Sequence, residues 1–478
     1  MKSLSDLKKG DHIHMMGICG TAMGSLAGIF NSMGFKVSGS DKNVYPPMST
    51  QLKNLGISIM QDYKAENLKD NPDFVIVGNV ISKHFEEAEE LLKKEIPYTS
   101  LPQAIGEYVI ANRHSIVLTG THGKTTTTSM MTWIAECCDK APGYLIGGVP
   151  ENFDYSFRAP EASDYFVIEG DEYDTAFFDK VPKFLHYRPK SLVITSLEFD
   201  HADIYDDLEH IKKGFIKLVA MVPEDGVIIY NSDDKNIQDV ITRSKETIKA
   251  KLVSYGEGAK SDYKIINRDV VSGRNQFSIE YKGKNCADIA IKLMGSHNAM
   301  NATAAFVVAL ENKWPEHKIM QALASFKGVK RRQQILGQPN DILVLEDFAH
   351  HPTAVKLTIE ALKETYKDKK LWAVFEPRSA TSRRSIFQED YIEAFKKADV
   401  AIISKAFNQE SLAEDNRLSS EKLCDDIKKS GTEASFCKTT DEIIKLLKTY
   451  AKPGDIIVLM SNGSFGGIYP ELLKALGN

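Results

Sequence analysis

The sequence predicts an α/β protein of three domains built on mostly parallel sheets. Three times a buried-looking strand is followed by a turn and then by a helix, around residues 13–30, 115–138 and 342–366. Further short apolar segments alternate with helical stretches, and this alternation is typical of parallel α/β sheets. The length of 478 residues agrees, since domains usually hold roughly 100–200 residues each.

Polar linkers indicate where the domains end. Ala111–His114 separates the first strand–helix unit from the second, and the basic segment Ser325–Arg332 precedes the third series of strands. Residues 262–293 have an antiparallel pattern, which predicts a β insertion in the middle domain. We therefore expect three domains, at 1–111, 112–326 and 327–478.

The composition excludes several protein classes. The 60 Lys and Arg residues nearly balance the 65 Asp and Glu, and the net charge of −5 gives no bulk attraction to nucleic acid or anionic membranes. No apolar run approaches the ~20 residues needed to cross a bilayer. Six scattered cysteines form no CxxC pair, which argues against a zinc site or a disulfide framework. We expect a cytoplasmic protein without nucleic-acid partner, membrane insertion or obligate protein partner.

The strongest local signal is the run Gly120–Thr125, which reads Gly-Thr-His-Gly-Lys-Thr. Backbone N–H groups around such glycines, ending at a helix N-terminus, form a cradle for anions. Lys124 would reach the β- and γ-phosphates of a nucleotide, and the Thr125 hydroxyl would ligate Mg²⁺. Leu118 stands where the general phosphate-loop pattern has its first glycine, and such turns also arise by chance. The preceding strand and the threonine-rich helix start favour the phosphate interpretation.

A second glycine pattern, Gly17-x-x-Gly20-x-x-x-Gly24, follows the first predicted strand. It resembles a dinucleotide fingerprint but differs from it in spacing. A nucleotide-phosphate loop and simple helix–sheet packing by small residues explain it equally well. Asp41 ends the next strand, where a carboxylate could bond a ribose or a base, and this favours nucleotide binding.

Two acidic segments, Glu169–Asp174 and Glu198–Asp203, each follow a predicted strand. Carboxylates at the carboxyl ends of parallel strands lie where ligands bind in open α/β sheets, and they are hard ligands suited to Mg²⁺. Acidic loops alone are more often simply solvated. His201, flanked by carboxylates, is a candidate second metal ligand.

Basic residues follow another predicted strand at Arg378, Arg383 and Arg384, and a basic run occupies Lys330–Arg332. Arginine suits recognition of a substrate carboxylate by forked hydrogen bonds. A solvated basic face is the alternative for both segments.

In their order along the chain, these motifs resemble the Mur ligases, ATP-dependent amide-forming enzymes of peptidoglycan metabolism. The resemblance covers essentially the whole chain through Gly120–Thr126, Glu169–Asp174, Glu198–Asp203, Gly295–Thr303, Gly328–Arg332 and Asp347–Pro352. It implies a three-domain Mur ligase architecture: a Rossmann-like N-terminal domain binding the UDP substrate, a central P-loop ATPase domain with a β insertion, and a Rossmann-like C-terminal domain binding the incoming peptide.

The resemblance also implies roles for single residues, with ATP and Mg²⁺ as cofactors. Catalytic roles fall to Lys124, Glu169 and His201, and metal binding to Thr125, Glu169 and His201. ATP binding falls to Gly120, Thr121, His122, Gly123, Lys124, Thr125, Thr126, Asn298, Asn301, Arg332 and Asp347. The resemblance implies that Gly17, Gly20 and Asp41 bind the UDP substrate. It implies that His350, Arg378 and Ser379 bind the peptide. Lys217 has the spacing of a lysine that some Mur ligases carbamylate, and this modification stays open.

Two activities of the family come close. One adds L-alanine to UDP-N-acetylmuramate; the other adds the tripeptide L-Ala-γ-D-Glu-meso-diaminopimelate to it during peptidoglycan recycling. The chain looks like the tripeptide-adding members at Glu169–Lys180, Leu197–Ile204, Asp347–Ala354, Glu376–Thr381 and Met460–Gly467. The alanine-adding members usually read Tyr-Gly-His-His-Pro and Gln-Pro-His-Arg-Tyr at the third and fourth. Gly170, where the family generally has Ala, and Ser382-Arg383-Arg384 depart from the pattern.

We therefore predict tripeptide addition, with L-alanine addition as the alternative. The choice of acceptor is expected in the third domain, where Asp347–Thr353 and Glu376–Thr381 are predicted to end adjacent strands. Two other classes stay open on sequence alone: a nicotinamide-dependent oxidoreductase using the N-terminal glycines, and a non-enzymatic nucleotide sensor.

Overall fold

Three main sheets organise the protein. The computed structural model describes residues 4–44, 48–161, 163–202 and 204–477, and over these ranges the sheets have five, ten and six strands. Most neighbouring strands are parallel, which confirms the predicted α/β class. No helix in the described ranges combines the length and apolar composition that a membrane span requires.

The first sheet has the order β3-β2-β1-β4-β5 and is parallel throughout. The chain leaves the central strand in both directions, so a crevice opens at the carboxyl ends of β1 and β4, the topological switch point of such sheets. Its elements are β1 (His12–Met16), α1 (Thr21–Ser32), β2 (Lys36–Asp41), α2 (Met48–Asn54), β3 (Ser58–Gln61), β4 (Phe74–Val77), α3 (Glu86–Lys93), β5 (Tyr98–Ser100) and α4 (Leu101–Ala104).

The second sheet is mixed, with the order β17-β16-β15-β14-β13-β12-β6-β9-β7-β8. Strand β6 (His114–Thr119), which lies between β12 and β9, is buried on both faces, as expected for a parallel strand covered by helices. Three long antiparallel strands, β15 to β17, extend one edge and confirm the predicted β insertion.

The elements of this middle region are β6 (His114–Thr119), α5 (Lys124–Cys137), β7 (Gly143–Leu145), β8 (Phe157–Arg158), β9 (Tyr165–Gly170), β10 (Asp174–Ala176), β11 (Asp179–Pro182), β12 (Ser191–Ile194), α6 (Leu208–Met221), β13 (Val227–Asn231), α7 (Lys235–Arg243), β14 (Lys251–Gly256), β15 (Tyr263–Val271), β16 (Arg274–Tyr281), β17 (Lys284–Ile291), α8 (Ser296–Glu311) and α9 (Glu316–Ser325). Strands β10 and β11 form a separate two-stranded sheet.

The third sheet has the order β18-β19-β23-β20-β21-β22, and only its edge strand β18 is antiparallel. Its elements are β18 (Gln334–Gly337), β19 (Leu343–Asp347), α10 (Pro352–Thr365), β20 (Leu371–Phe375), α11 (Gln388–Phe395), β21 (Val400–Ser404), α12 (Ser420–Lys429), β22 (Glu433–Cys437), α13 (Thr440–Tyr450), β23 (Ile456–Met460) and α14 (Ile468–Gly477).

This strand order corrects one expectation. Asp347–Thr353 and Glu376–Thr381 follow β19 and β20, which we predicted to be adjacent, but β23 pairs with both and separates them. The crossover through α10 leaves a gap between the two strands, and the last strand of the chain fills it. Because such pairing joins distant parts of the chain, local sequence patterns do not reveal it.

Candidate active site

The loop between β6 and α5 has the shape of an anion cradle. Gly120 and Gly123 have φ angles of +131° and +83°, which favour glycine. A Cβ at residue 120 would lie 2.3 Å from Thr195 Oγ1, and one at residue 123 would lie 2.5 Å from Asn301 Oδ1. Both glycines are therefore required for backbone geometry and for space, and the N-terminus of α5 follows directly.

Lys124 lies in this cradle in a buried ion pair. Its Nζ donates to the Gly120 carbonyl at 2.6 Å and to Glu172 Oε2 at 2.9 Å. Although burial alone would raise the pKa of Glu172, Lys124 and His201 hold it well below its usual range. The lysine is thus held by its own loop and by the first acidic segment, and its role at the nucleotide phosphates stays a prediction.

Thr125 and Glu169 present hard oxygens side by side. The Thr125 hydroxyl donates to Glu169 Oε2 at 3.0 Å, and the Gly147 N–H donates to the other carboxylate oxygen at 2.5 Å. An octahedral Mg²⁺ with ligands at about 2.1 Å places neighbouring oxygens about 3 Å apart. The pair therefore fits two adjacent positions around this ion. Burial raises the pKa of Glu169, so a cation here would also relieve a desolvated carboxylate.

His201 stands across the same carboxylate. Its Nε2 lies 3.1 Å from Glu172 Oε1, and its backbone has φ of +57°, uncommon for a residue other than glycine. Its N–H donates to Asp200 Oδ1 at 2.7 Å and to Thr381 Oγ1 at 3.1 Å. The Thr381 hydroxyl donates to Asp200 Oδ1 at 2.7 Å. Thr381, a residue of the third domain, is thus hydrogen-bonded to the loop that carries His201.

A second contact between these domains joins His122, Glu198 and His351. His122 Nε2 lies 2.9 Å from Glu198 Oε2, and His351 Nδ1 lies 3.5 Å from the same oxygen. The three ligand atoms lie within 4.8 Å of one another, a spacing that can hold a metal ion. Asp203, the last residue of the second acidic segment, lies outside the described residues.

On the other side of the phosphate loop, two asparagines of α8 meet the third domain. Asn301 Nδ2 donates to Asn298 Oδ1 at 3.2 Å, and Asn298 Nδ2 donates to Gln333 Oε1 at 3.3 Å. The Gln333 N–H donates to Asp347 Oδ2 at 2.8 Å. The Arg332 guanidinium lies 4.6 Å from the centre of the Phe348 ring. The predicted ATP residues from both domains therefore adjoin.

Gly17, Gly20 and Asp41 line a cavity of about 400 Å³ at the crevice of the first sheet. The Asp41 carboxylate accepts N–H groups from Cys19 at 2.9 Å and Asn43 at 2.8 Å, so it fixes the loop around the cavity. Thr175 and Lys183 of the middle region line the same cavity. A ligand seated here can extend toward the acidic segment, since Lys183 Nζ lies 3.3 Å from Asp171 Oδ2.

The predicted peptide residues lie along the carboxyl edge of the third sheet. His350 is half-buried, and its Nδ1 lies 3.0 Å from the Phe348 carbonyl. The Arg378 guanidinium lies 3.8 Å from the centre of the Phe407 ring, and its Nη1 lies 3.5 Å from Glu376 Oε1. The Ser379 hydroxyl donates to Ser382 Oγ at 2.9 Å.

Arg383 and Arg384 donate hydrogen bonds to main-chain carbonyl groups, and both interpretations of the basic segments stay open. Arg383 Nη1 donates to the Asn408 carbonyl at 2.6 Å, and Arg384 Nε donates to the Ala380 carbonyl at 3.3 Å. They brace the loop after β20 through its main chain. Arg331, in the other basic segment, pairs with Glu346 at 2.6 Å.

Comparison with known proteins identifies the family. Residues 12–113 match the model of the Mur ligase family catalytic domain, residues 118–309 the Mur ligase middle domain, and residues 331–463 the Mur ligase glutamate ligase domain. The chain is also 40% identical over 467 residues to the UDP-N-acetylmuramate–L-alanyl-γ-D-glutamyl-meso-2,6-diaminoheptandioate ligase of Escherichia coli strain K12, covering 97% of this chain and 98% of that protein. The chain belongs to the Mur ligase family.

Two further relatives are similar to this Mur ligase over nearly its whole length. A crystal structure of a murein peptide ligase from Psychrobacter arcticus 273-4 is 36% identical and covers 98% of this chain and 99% of its own, with a TM-score of 0.72. The UDP-N-acetylmuramate–L-alanine ligase of Clostridium tetani is 31% identical over 473 residues, covering 96% of this chain and 97% of that protein. The three-domain Mur ligase architecture is thereby confirmed, and the chain is an ATP-dependent amide-forming ligase rather than an oxidoreductase.

Some residues of this Mur ligase site were missed by sequence reasoning. The sequence motifs contain Glu172, Asp200 and His351, but we assigned them no role from the sequence, and we treated Thr381 in the same way. The only sequence feature that could have indicated a role is that each residue follows the carboxyl end of a strand. Many solvated residues have the same position, so this feature is weak evidence. Lys217 lies exposed on α6, and whether it is carbamylated stays open.

Proposed function

We propose that this Mur ligase joins L-Ala-γ-D-Glu-meso-diaminopimelate to UDP-N-acetylmuramate, using ATP, as a cytoplasmic step of peptidoglycan recycling. The observation that carries the proposal is the gradient of identity: 40% to a near full-length relative named for this reaction, against 31% to a relative named for L-alanine addition. The two sequences cover nearly the same share of the chain, so the difference is not one of length.

The reaction needs an activated carboxylate, because a carboxylate does not condense with an amine in water. ATP would transfer its γ-phosphoryl group to the lactyl carboxylate, giving an acyl phosphate and ADP. The amine of the peptide's L-alanine would attack the carbonyl, lose a proton, and expel phosphate as the amide forms. Such chemistry depends on alignment and charge neutralisation more than on covalent help from the protein.

The described residues supply these requirements. The loop N–H groups and Lys124 would hold the phosphates, while the cavity at Gly17, Gly20 and Asp41 would hold the UDP moiety. Thr125 and Glu169 would hold one Mg²⁺, and His201 would contact a second beside Glu172. These ions would neutralise phosphate charge. Arg332 and Asp347 would contact the same nucleotide from the third domain, which we propose begins at residue 327.

The proposal is tested by phosphate release in the presence of ATP, Mg²⁺ and UDP-N-acetylmuramate. The acceptors compared are the tripeptide, the dipeptide L-Ala-γ-D-Glu and free L-alanine. We expect kcat/KM to be highest for the tripeptide and lowest for L-alanine, with amide product confirmed by mass. A higher kcat/KM for L-alanine would replace the proposal with the alanine-adding activity.

A further inference from the structure

A second cavity, of about 250 Å³, lies in the third domain next to Arg378. It opens at the carboxyl ends of β20, β21 and β22. It shares Glu376 and Phe407 with the surroundings of Arg378. None of the roles assigned so far uses it.

Two lysines give this cavity a positive wall. Lys405 directly follows β21 and Lys438 directly follows β22, and both line the cavity and are exposed. Among the described residues, neither ammonium group forms an ion pair, whereas the nearby Arg378 and Arg331 both have a carboxylate partner. Glu410 lines the same cavity. The cavity therefore offers two cations without an ion pair among the described residues, the Glu410 carboxylate, and the Glu376 carboxylate, which already lies beside Arg378.

Beside the polar Ser404, Asn408, Thr439 and Thr440, the lining has an apolar part. Phe407 is 44% exposed, although its ring also carries the Arg378 guanidinium. Ile443 and Phe465 are buried and contribute to the lining. Phe465 has φ of +45°, a costly conformation for a bulky side chain, and such backbone strain is found mainly at functional sites. A ligand in this cavity would therefore contact an apolar surface suited to methylene groups, with charged groups on either side of it.

We propose that this cavity binds the diaminopimelate end of the acceptor peptide. Lys405 donates to the peptide's C-terminal carboxylate, Lys438 donates to the distal carboxylate, and Glu410 accepts from the distal ammonium. The three methylenes of diaminopimelate lie on Phe407. The inference rests on the proposed function and extends it from the reacting amine to the opposite end of the substrate.

The dimensions agree with this placement. Neighbouring strands lie about 4.8 Å apart, so the edge from β20 to β22 spans about 10 Å. Beyond the glutamyl carboxylate, the γ-linked glutamyl chain and the diaminopimelate chain together contain at least as many chain atoms as three ordinary residues, which reach about 10 Å when extended. A peptide whose glutamyl carboxylate lies at Arg378 therefore reaches both lysines, whereas free L-alanine reaches neither. Binding in this cavity would therefore favour the tripeptide over free L-alanine. The reacting amine cannot provide this discrimination, because it belongs to L-alanine in both acceptors.

The test compares two acceptors that differ at one group. The first is L-Ala-γ-D-Glu-meso-diaminopimelate; the second has L-lysine in the third position, which lacks the distal carboxylate. Both are assayed with the wild type and with Lys405→Met, Lys438→Met and the control Lys448→Met. Lys448 is an exposed lysine in the last turn of α13, outside the cavity. Methionine keeps the length of the side chain and removes its charge.

We expect Lys438→Met to lower kcat/KM for the diaminopimelate peptide by roughly tenfold, the effect of one charged hydrogen bond, and to leave the lysine peptide unchanged. Lys405→Met should lower kcat/KM for both acceptors, mainly through KM. Lys448→Met should match the wild type, and the KM for ATP should not change in any variant.

Two results would overturn the inference, and they are distinguishable. If the wild type ligates the tripeptide but Lys405→Met and Lys438→Met behave like the control with both acceptors, the cavity does not bind this end of the peptide and the proposed function survives. If the wild type does not ligate the tripeptide at all, the proposed function fails and the inference fails with it.

Discussion

We expect the hydroxyl of Thr381 to contribute to kcat, although this residue belongs to the third domain. The contacts described for it are with Asp200 and His201 and not with the phosphate loop. Thr381 is 3% exposed and bridges Asp200 Oδ1, at 2.7 Å, and the His201 N–H, at 3.1 Å. Thr381→Val removes the hydroxyl while keeping the shape of the side chain. Asp200 is 5% exposed, so water cannot easily replace the lost donor.

A hydrogen bond to a charged group contributes about 1.5–3 kcal/mol, which corresponds to roughly 10- to 150-fold. We expect kcat for tripeptide ligation to fall by at least about tenfold, because the loop carrying His201 loses its tie to the third domain. The measurement is phosphate release at saturating ATP and UDP-N-acetylmuramate. Thr381→Ser, which keeps the hydroxyl, should retain most of the activity. Wild-type kcat in the valine variant would refute this reasoning, and equal losses in both variants would show that the hydroxyl alone does not account for the effect.

Three further changes test other parts of the molecule. Lys124→Met should lower turnover by roughly a hundredfold or more and lower the melting temperature, because Glu172 loses its closest cation; phosphate release and thermal unfolding measure the two effects. Arg378→Ala should raise the KM for the tripeptide while leaving the KM for ATP unchanged in steady-state assays. Burial lowers the pKa of His114 to about 4, so the unfolded chain takes up a proton first as the pH falls. The free energy of unfolding should therefore fall between about pH 6.5 and 4, and less so in His114→Gln, when measured by urea unfolding at pH 7 and pH 5.

The sequence predicted the buried strands well, for a physical reason. The short apolar segments that alternate with helical stretches include Phe74–Val77, Leu371–Phe375 and Ile456–Met460. Each of them is a strand in the structure, because strands covered on both faces are continuous apolar runs. The insertion of β23 between β19 and β20 was not predictable, since any of these apolar strands could fill the centre of the sheet. Pairing depends on the path of the crossovers, which short-range patterns do not encode.

Within the site, the sequence located the acidic segment but could not sort its carboxylates. Glu169 and Glu172 face Thr125 and Lys124, whereas Asp171 lies 3.3 Å from the Nζ of Lys183. All of these acids stand at the same strand end and have similar chemistry. Only the folded geometry decides which of them accepts a hydrogen bond from the phosphate loop and which forms an ion pair beside it.

The loop after β20 gives the protein a short physical link between acceptor and metal chemistry. One end carries Arg378 beside the proposed peptide cavity, and the other carries Thr381 against Asp200 and His201. Between them, Ser382 Oγ accepts the N–H groups of Arg378 at 3.0 Å and Ser379 at 2.8 Å. The arginines that follow brace the same turn through carbonyl groups. Because Ser382 ties the backbone at Arg378 to the turn that carries Thr381, we expect a shift of Arg378 on carboxylate binding to change the hydrogen bonds of Thr381. If it does, Thr381→Val should lower the difference in kcat/KM between the tripeptide and L-alanine as well as kcat itself, whereas an unchanged difference would show that Thr381 acts on the His201 loop alone.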